Sequence, residues 1–287
     1  MAKFLDSNWC GIPWTNWIPF ESPDIQTLPT GPGVYRIKAS GLDEIFYIGQ
    51  TGRNLQERLL ALIHNTLDDP TQMPYNDPHT AAPSLWAWRD AEGYRYECSV
   101  APIPGEITTE KREAFECSLL WRYRLQFGAS TRCNHGRFHP HYIKSKNMRD
   151  RFRGGRLIEG EINLAWGPSY PALPAHGQPK DNDWMKLSWS EPLPFHRQAT
   201  FHAPSMPGIC KLLDVKGRLL NVDFDQDIST LLIKLNRIAW KSAPRFFSIT
   251  TFIPNIPSYQ LREMKNDLIA GYYDLTRQPP VEQKRFN

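Results

Sequence analysis

The sequence predicts an α/β (α+β) fold: a small mixed or antiparallel sheet flanked by helices, present twice in the chain. Three features carry that expectation. Two short alternating runs, GVYRI from Gly33 and IFYIG from Ile45, flank the turn-forming stretch KASGLDE and read as a β-hairpin. A long run from Thr109 to Phe127 has the length and flanking signals of a helix. Parts of the N-terminal half recur in the C-terminal half at nearly constant offsets.

Taken in order, residues 1–30 are rich in Trp and Pro and form an arm laid on a domain surface. The hairpin follows. Asn54 then stands as the N-cap of a helix, NLQERLLALIH, whose Leu55, Leu59 and Leu62 give it an apolar face. Residues 65–93 hold turn formers and four prolines and read as an irregular insertion. Within it, His79 to Trp88 is either a DNA-reading element or a hydrophobic lid with Leu85, Trp86 and Trp88 packed inward. YRYECSVAPI is a third strand, and the long helix opens at Thr108 or Thr109 and closes at Gly128. From 137 to 203 the chain is first basic and then proline-dense, which reads as an inter-domain connection.

Composition narrows the classes. At 287 residues there is room for two modest domains. No apolar run is long enough to span a membrane, and the N-terminus lacks a signal-peptide core, so a cytoplasmic location is the default expectation. The five cysteines are scattered, with no CxxC pair, and indicate neither a disulfide framework nor a zinc ribbon. Cys133, His135, His139 and His141 lie close in sequence, but their spacing fits no familiar zinc pattern. The net charge of +4 is mild but unevenly placed. Arg137, Lys144, Lys146, Arg149, Arg151, Arg153 and Arg156 stand against the single acid Asp150. Such a run is a solvated linker or a phosphate-contacting segment.

The chemistry-bearing residues form an ordered set. Gly33-Val34-Tyr35 is followed by eleven residues, Tyr47-Ile48-Gly49, then Asn54-Leu55-x-x-Arg58, with Glu116 in the long helix and Asn134 beyond it. Over about 31–135 this resembles the GIY-YIG nucleases, with Val in place of the middle Ile of the first tripeptide. The resemblance implies a DNA endonuclease that hydrolyses phosphodiesters with a divalent ion, Mg2+ or Mn2+. It gives Glu116 the metal, Arg58 the charge on the phosphate oxygens, Tyr47 the role of general base or water orienter, and Tyr35 the positioning of water or phosphate. His64 is a candidate proton relay, and Asn134 completes the set. Tyrosine titrates near pH 10, so Tyr47 as a base needs a cation or a helper nearby. Placed after such a domain, the basic run becomes a DNA contact.

The internal similarity pairs Pro207–Leu212 with Pro32–Ile37 and Leu220–Asp223 with Phe46–Gly49. Further on, an offset of 150 aligns Ile103-Pro104 with Ile253-Pro254 and Arg112-Glu113 with Arg262-Glu263. In that alignment Tyr35, Tyr47, Arg58 and Glu116 meet Cys210, Asn221, Leu231 and Asn266. The expected organisation is therefore an arm (1–30), a catalytic domain (31–136), a connection (137–203) and a catalytically dead copy (204–287). The expected partner is DNA, with no membrane and with a homodimer open. Restriction or phage defence is the expected setting. A structure-specific repair nuclease and a DNA-binding protein with a vestigial site are the alternatives.

Overall fold

The computed structural model of the chain describes residues 3–103, 107–196, 203–283 and 286. It divides into two compact units, Met1–Arg112 with Ser130–Pro168, and Glu113–Ala129 with Ser169–Asn287. The fold is α+β, and every recorded strand pair is antiparallel. The sheet expected as mixed or antiparallel is thus antiparallel.

In the first unit, β2 (Gly33–Ala39) and β3 (Ile45–Thr51) form the hairpin, β4 (Tyr96–Pro102) pairs with β2, and β1 (Ile18–Pro19) pairs with β4. Helix α1 (Leu55–Leu67) lays Leu55, Leu59 and Leu62 on the sheet face that holds Tyr35 and Ile37. Gly33 makes this approach possible, since a Cβ there would lie 2.4 Å from the Ala101 carbonyl oxygen and 2.6 Å from Leu55 Cδ1. The Asn54 side chain accepts from the Glu57 N–H at 3.1 Å, the cap expected of it.

Three expectations about this unit need correction. The segment 65–93 is not all irregular: it contains α2 (Ala82–Glu92), with Leu85, Trp86 and Trp88 buried as in the lid reading. The N-terminal arm does more than lie on a surface. It supplies β1, and Thr15 exchanges two hydrogen bonds with Val100 (2.8 and 3.0 Å). It also encloses Arg36, whose guanidinium stacks 4.3 Å from Trp14 and 4.6 Å from Trp17 and donates to the carbonyls of Phe4, Leu5 and Asp6. Burial lowers the Arg36 pKa to about 9, which still leaves it charged at neutrality. The third correction concerns residues 137–168, which fold with this unit instead of connecting domains. Within them β5 (Tyr142–Ile143) pairs with β6 (Gly155–Arg156) as the base of a second hairpin.

The second unit has β8 (Gly208–Leu213), β9 (Leu219–Asp225), β10 (Phe246–Thr251) and β7 (Leu193–Pro194) in the order β7-β10-β8-β9. Helix α4 (Ile228–Leu235) covers one face with Ile228, Leu231, Leu232 and Leu235. On the other face Ile209 and Val222 pack with Leu261, Met264 and Leu268 of α5 (Ser258–Thr276). Ala114, Cys117 and Trp121 of α3 (Thr109–Phe127) join that cluster. The α3–α5 contact also buries charge, with Arg124 Nη1 2.8 Å from Asp267 and Nη2 3.8 Å from Glu263. Burial outweighs the pull of Arg124 and pushes the Asp267 carboxyl up to about 7.

The strand order of the two sheets is the same, and so is much of their local detail. Asp6/Asp181, Trp9/Trp184, Trp14/Trp189, Pro19/Pro194, Phe20/Phe195 and Gly33/Gly208 are each 175 residues apart, without a gap. Trp14 Nε1 donates to the Trp9 carbonyl at 3.0 Å, and Trp189 Nε1 to that of Trp184 at 3.0 Å. Lys211 takes the place of Arg36, buried 4.5 Å over Trp189 and donating to the Asp181 carbonyl. Each hairpin carries a register irregularity at the same step, Ile37/Lys38 and Leu212/Leu213. Gly208 faces the Thr250 carbonyl and Ile228 as Gly33 faces Ala101 and Leu55.

Beyond α4 the hydrogen bonds fix the offset at 149, not 150. Ile103 N–H donates to the Pro32 carbonyl at 3.0 Å, and Phe252 N–H to that of Pro207 at 2.9 Å. Helices α3 and α5 have 19 residues each and start 149 apart. The residue standing where Glu116 stands is therefore Lys265, not Asn266.

Candidate active site

Tyr35 and Tyr47 are brought together by register. Tyr35 lies opposite Gly49 and Tyr47 opposite Ile37, so the tyrosines sit diagonally on one face of the hairpin. Their ring centroids are 6.0 Å apart. A Cβ on Gly49 would lie 2.6 Å from Tyr35 Cζ, 2.7 Å from its hydroxyl oxygen and 2.7 Å from Tyr47 Cε1. Carbon atoms do not pack closer than about 3.5 Å without strain, so glycine there is a condition of the tyrosine pair. Tyr35 is buried and Tyr47 half-buried.

Arg58 sits in the first turns of α1, half-exposed, and its Nη1 donates to the Pro78 carbonyl at 3.2 Å. The next residue, His79, is buried at 4% exposure, and its Nδ1 has no hydrogen-bond partner among the described residues. Burial, with Arg58 adding to it, lowers the His79 imidazole to about 4, so it is neutral at pH 7. Sequence reading missed His79 as a site residue. It lies 21 positions beyond Arg58 in a proline-rich stretch, and only the fold of that loop returns it to α1. His64, the sequence candidate, is instead 70% exposed with its Nδ1 3.7 Å from Asp68. Six residues turn a helix by about 240°, which carries His64 off the flank of Arg58.

Asn134 acts from the free edge of β3. Its carboxamide accepts from the Ile48 N–H at 3.0 Å and donates to the Ile48 carbonyl at 2.9 Å, while Thr131 Oγ1 donates to it at 2.7 Å. It thereby substitutes for a further strand at the residue between Tyr47 and Gly49. Gln283 does the same for Val222, at 3.0 and 2.8 Å.

Glu116 is buried on α3, in the part of that helix that groups with the second unit. Tyr35, Tyr47, Arg58, His64, His79 and Asn134 group with the first. In the second unit the corresponding positions are Cys210, Asn221, Leu231 and Lys265, all buried. The Lys265 ammonium pairs with Asp223, the counterpart of Gly49, at 3.1 Å. None of the family models, curated proteins or solved structures compared with the chain matches it.

The basic residues separate into two groups. Arg137 leaves the candidate DNA contacts, because it is buried, lies 4.8 Å from the Trp166 ring and donates to the Gly167 carbonyl at 2.6 Å. Lys144 is half-buried beside Phe138. Arg153 and Arg156 are exposed but tethered, Arg153 to the Met73 carbonyl and Arg156 to the Tyr142 hydroxyl. Lys146, Arg149 and Arg151 stand exposed at the hairpin end. Among the described residues no three His, Cys, Asp or Glu side chains gather to hold a metal, which includes the set at 133–141.

Proposed function

We propose that the chain is a GIY-YIG-type, divalent-metal-dependent DNA endonuclease, active in its first half. We propose also that its second unit is a copy of the same fold without the chemistry. The observation that carries the reading is the Tyr35–Tyr47 pair and the absence of room for any side chain but hydrogen at Gly49. A packing role for two hairpin aromatics does not require the Tyr35 hydroxyl end and the Tyr47 ring edge to meet over a glycine. The second unit keeps the sheet order, the register step, the tryptophan pair and the edge clip while replacing both tyrosines.

In this reading the Tyr47 hydroxyl orients or deprotonates the attacking water, and Tyr35 holds it or the phosphate in place. Arg58 offers its donors to the phosphate oxygens as charge builds on them. His79, neutral beside Arg58, can take up a proton once a phosphate anion nearby raises its affinity for one. Glu116 would hold Mg2+ or Mn2+, which supplies charge neutralisation at the phosphoryl group. A single carboxylate suits Mg2+, an ion that keeps several waters and takes other oxygens from phosphate. Lys265 presents the opposite charge at the corresponding place, which fits a unit that holds no ion.

The test is incubation with magnesium and plasmid, phage or branched DNA, followed by mapping of the ends. Ends at one sequence support restriction, and ends confined to branches support repair. Intact DNA under all conditions would overturn the proposal.

A further inference from the structure

The hairpin that continues from β5 and β6 lies along residues 73–77, where Asn76 N–H donates to the Lys146 carbonyl at 3.1 Å and Arg153 Nη1 to that of Met73 at 3.1 Å, and it ends in an exposed turn. Its strands are held by Leu157 N–H to the His141 carbonyl at 2.8 Å and Lys146 N–H to that of Phe152 at 3.0 Å. Its end is a single 3-10 turn, Met148–Asp150, closed by Arg151 in the left-handed region. The Asp77 carboxylate accepts from the Met148 N–H at 2.7 Å and fixes the backbone of that turn. The Met148 side chain is nevertheless 58% exposed, and Phe152 is 37% exposed under the Lys146 ammonium. Arg149 and Arg151 have no side-chain partner among the described residues, and Asp150 is the one acid of the turn. A fixed turn thus carries an apolar tip ringed by cations.

We propose that the turn at the end of this hairpin sits on the minor groove of duplex DNA, with Met148 as a wedge against a base step and Lys146, Arg149 and Arg151 on the flanking phosphates. The proposal rests on the reading of the chain as a DNA-cutting protein and adds how the duplex is gripped. The minor groove, about 6 Å wide, is too narrow for the whole ribbon but takes single inserted side chains such as that of Met148. Cations are drawn to the strong negative potential of a narrow groove, and methionine is among the side chains that pry base steps apart. Charge selects a polyanion as the occupant, and the exposed apolar tip favours a stack of bases over a surface of phosphates alone.

The test uses the full chain in EDTA with fluorescent mixed-sequence duplexes several helical turns long, dyes at both ends reporting the bend. Met148→Ala should weaken binding roughly ten-fold and abolish the bend while leaving the salt slope unchanged. Arg149→Ala with Arg151→Ala should lower that slope by about two. The minor-groove ligand netropsin should compete, and Met148→Leu should bind and bend like the native chain. Native affinity and bend in Met148→Ala, or no competition by netropsin, overturns the wedge while leaving the nuclease reading standing. A native chain that binds no duplex overturns both.

Discussion

The carboxamide of Asn134 grips both main-chain polar groups of Ile48, accepting at 3.0 Å and donating at 2.9 Å. The grip needs both ends of the amide. Asn134→Asp keeps the acceptor and loses the donor, which leaves the Ile48 carbonyl unpaired and buried. The expected destabilisation is about 1–3 kcal/mol in urea unfolding. Gln283→Glu should do the same to Val222 in the second unit. If both variants unfold at the native midpoint, the edge of each sheet is held by something else.

Gly49→Ala tests the tyrosine pair. The added methyl would sit 2.6–2.7 Å from both rings, so Tyr35 or Tyr47 must turn away. Turnover should drop by about 10²-fold or more, as should that of Tyr47→Phe, with DNA affinity nearly intact. Loss of affinity in step with turnover would mean that the rings serve the fold or the DNA contact and not the reaction.

The fold of the N-terminal half was largely legible because its signals are local. Alternation marks the hairpin, Asn54 marks the start of α1, and the spacing of Tyr35, Tyr47 and Arg58 is set by those elements. The start of the second unit was equally present as Asp181, Trp184 and Trp189, but it forms almost no regular structure and matches no strand or helix pattern. In the long helices, identity misled. Arg112 and Arg262 are the same residue, yet Arg112 is buried with Nε on Gln50 and Arg262 is exposed. One residue along, Arg112 aligns in sequence with Leu261, which is buried like itself, and main-chain hydrogen bonds decide for that register. His79 was not legible because it comes beside Arg58 only through the fold of a loop.

His79 predicts a pH dependence of stability. The unfolded imidazole takes up its proton near 6.5, while the folded one stays neutral down to about 4. Between those values the unfolded chain binds more protons, so stability falls as pH drops from about 6.5 to about 4. The loss attributable to His79 is at most about 3 kcal/mol. His79→Gln should flatten this limb when unfolding is compared at neutrality and at a pH of about 5. A variant that loses as much as the native chain would place the acid sensitivity elsewhere.

Glu116→Ala should abolish cleavage without loss of DNA affinity, and EDTA should do the same to the native chain. Lys265→Ala, by contrast, should leave cleavage unchanged, because the cation it removes serves Asp223 and no reacting group. Cleavage that fails in Lys265→Ala while folding and affinity persist would assign the second unit a part in the chemistry.

In the proposed reading, one live site and one dead one set the order of products. The second unit offers Cys210, Asn221 and Leu231 where the first has Tyr35, Tyr47 and Arg58, and an ammonium where the first has a carboxylate. A monomer therefore has the means to open one strand per encounter. On supercoiled plasmid at limiting protein, open circles should form before linear DNA. Linear product should then rise more steeply than in proportion as protein concentration increases, since the second strand needs a second chain or a second visit. Band intensities over a time course at several protein concentrations measure this directly. Direct conversion to linear DNA by a protein shown to be monomeric in the same buffer would sink the idea. It would require a second active site in this chain, and the Lys265–Asp223 pair would then mark the wrong place to look for it.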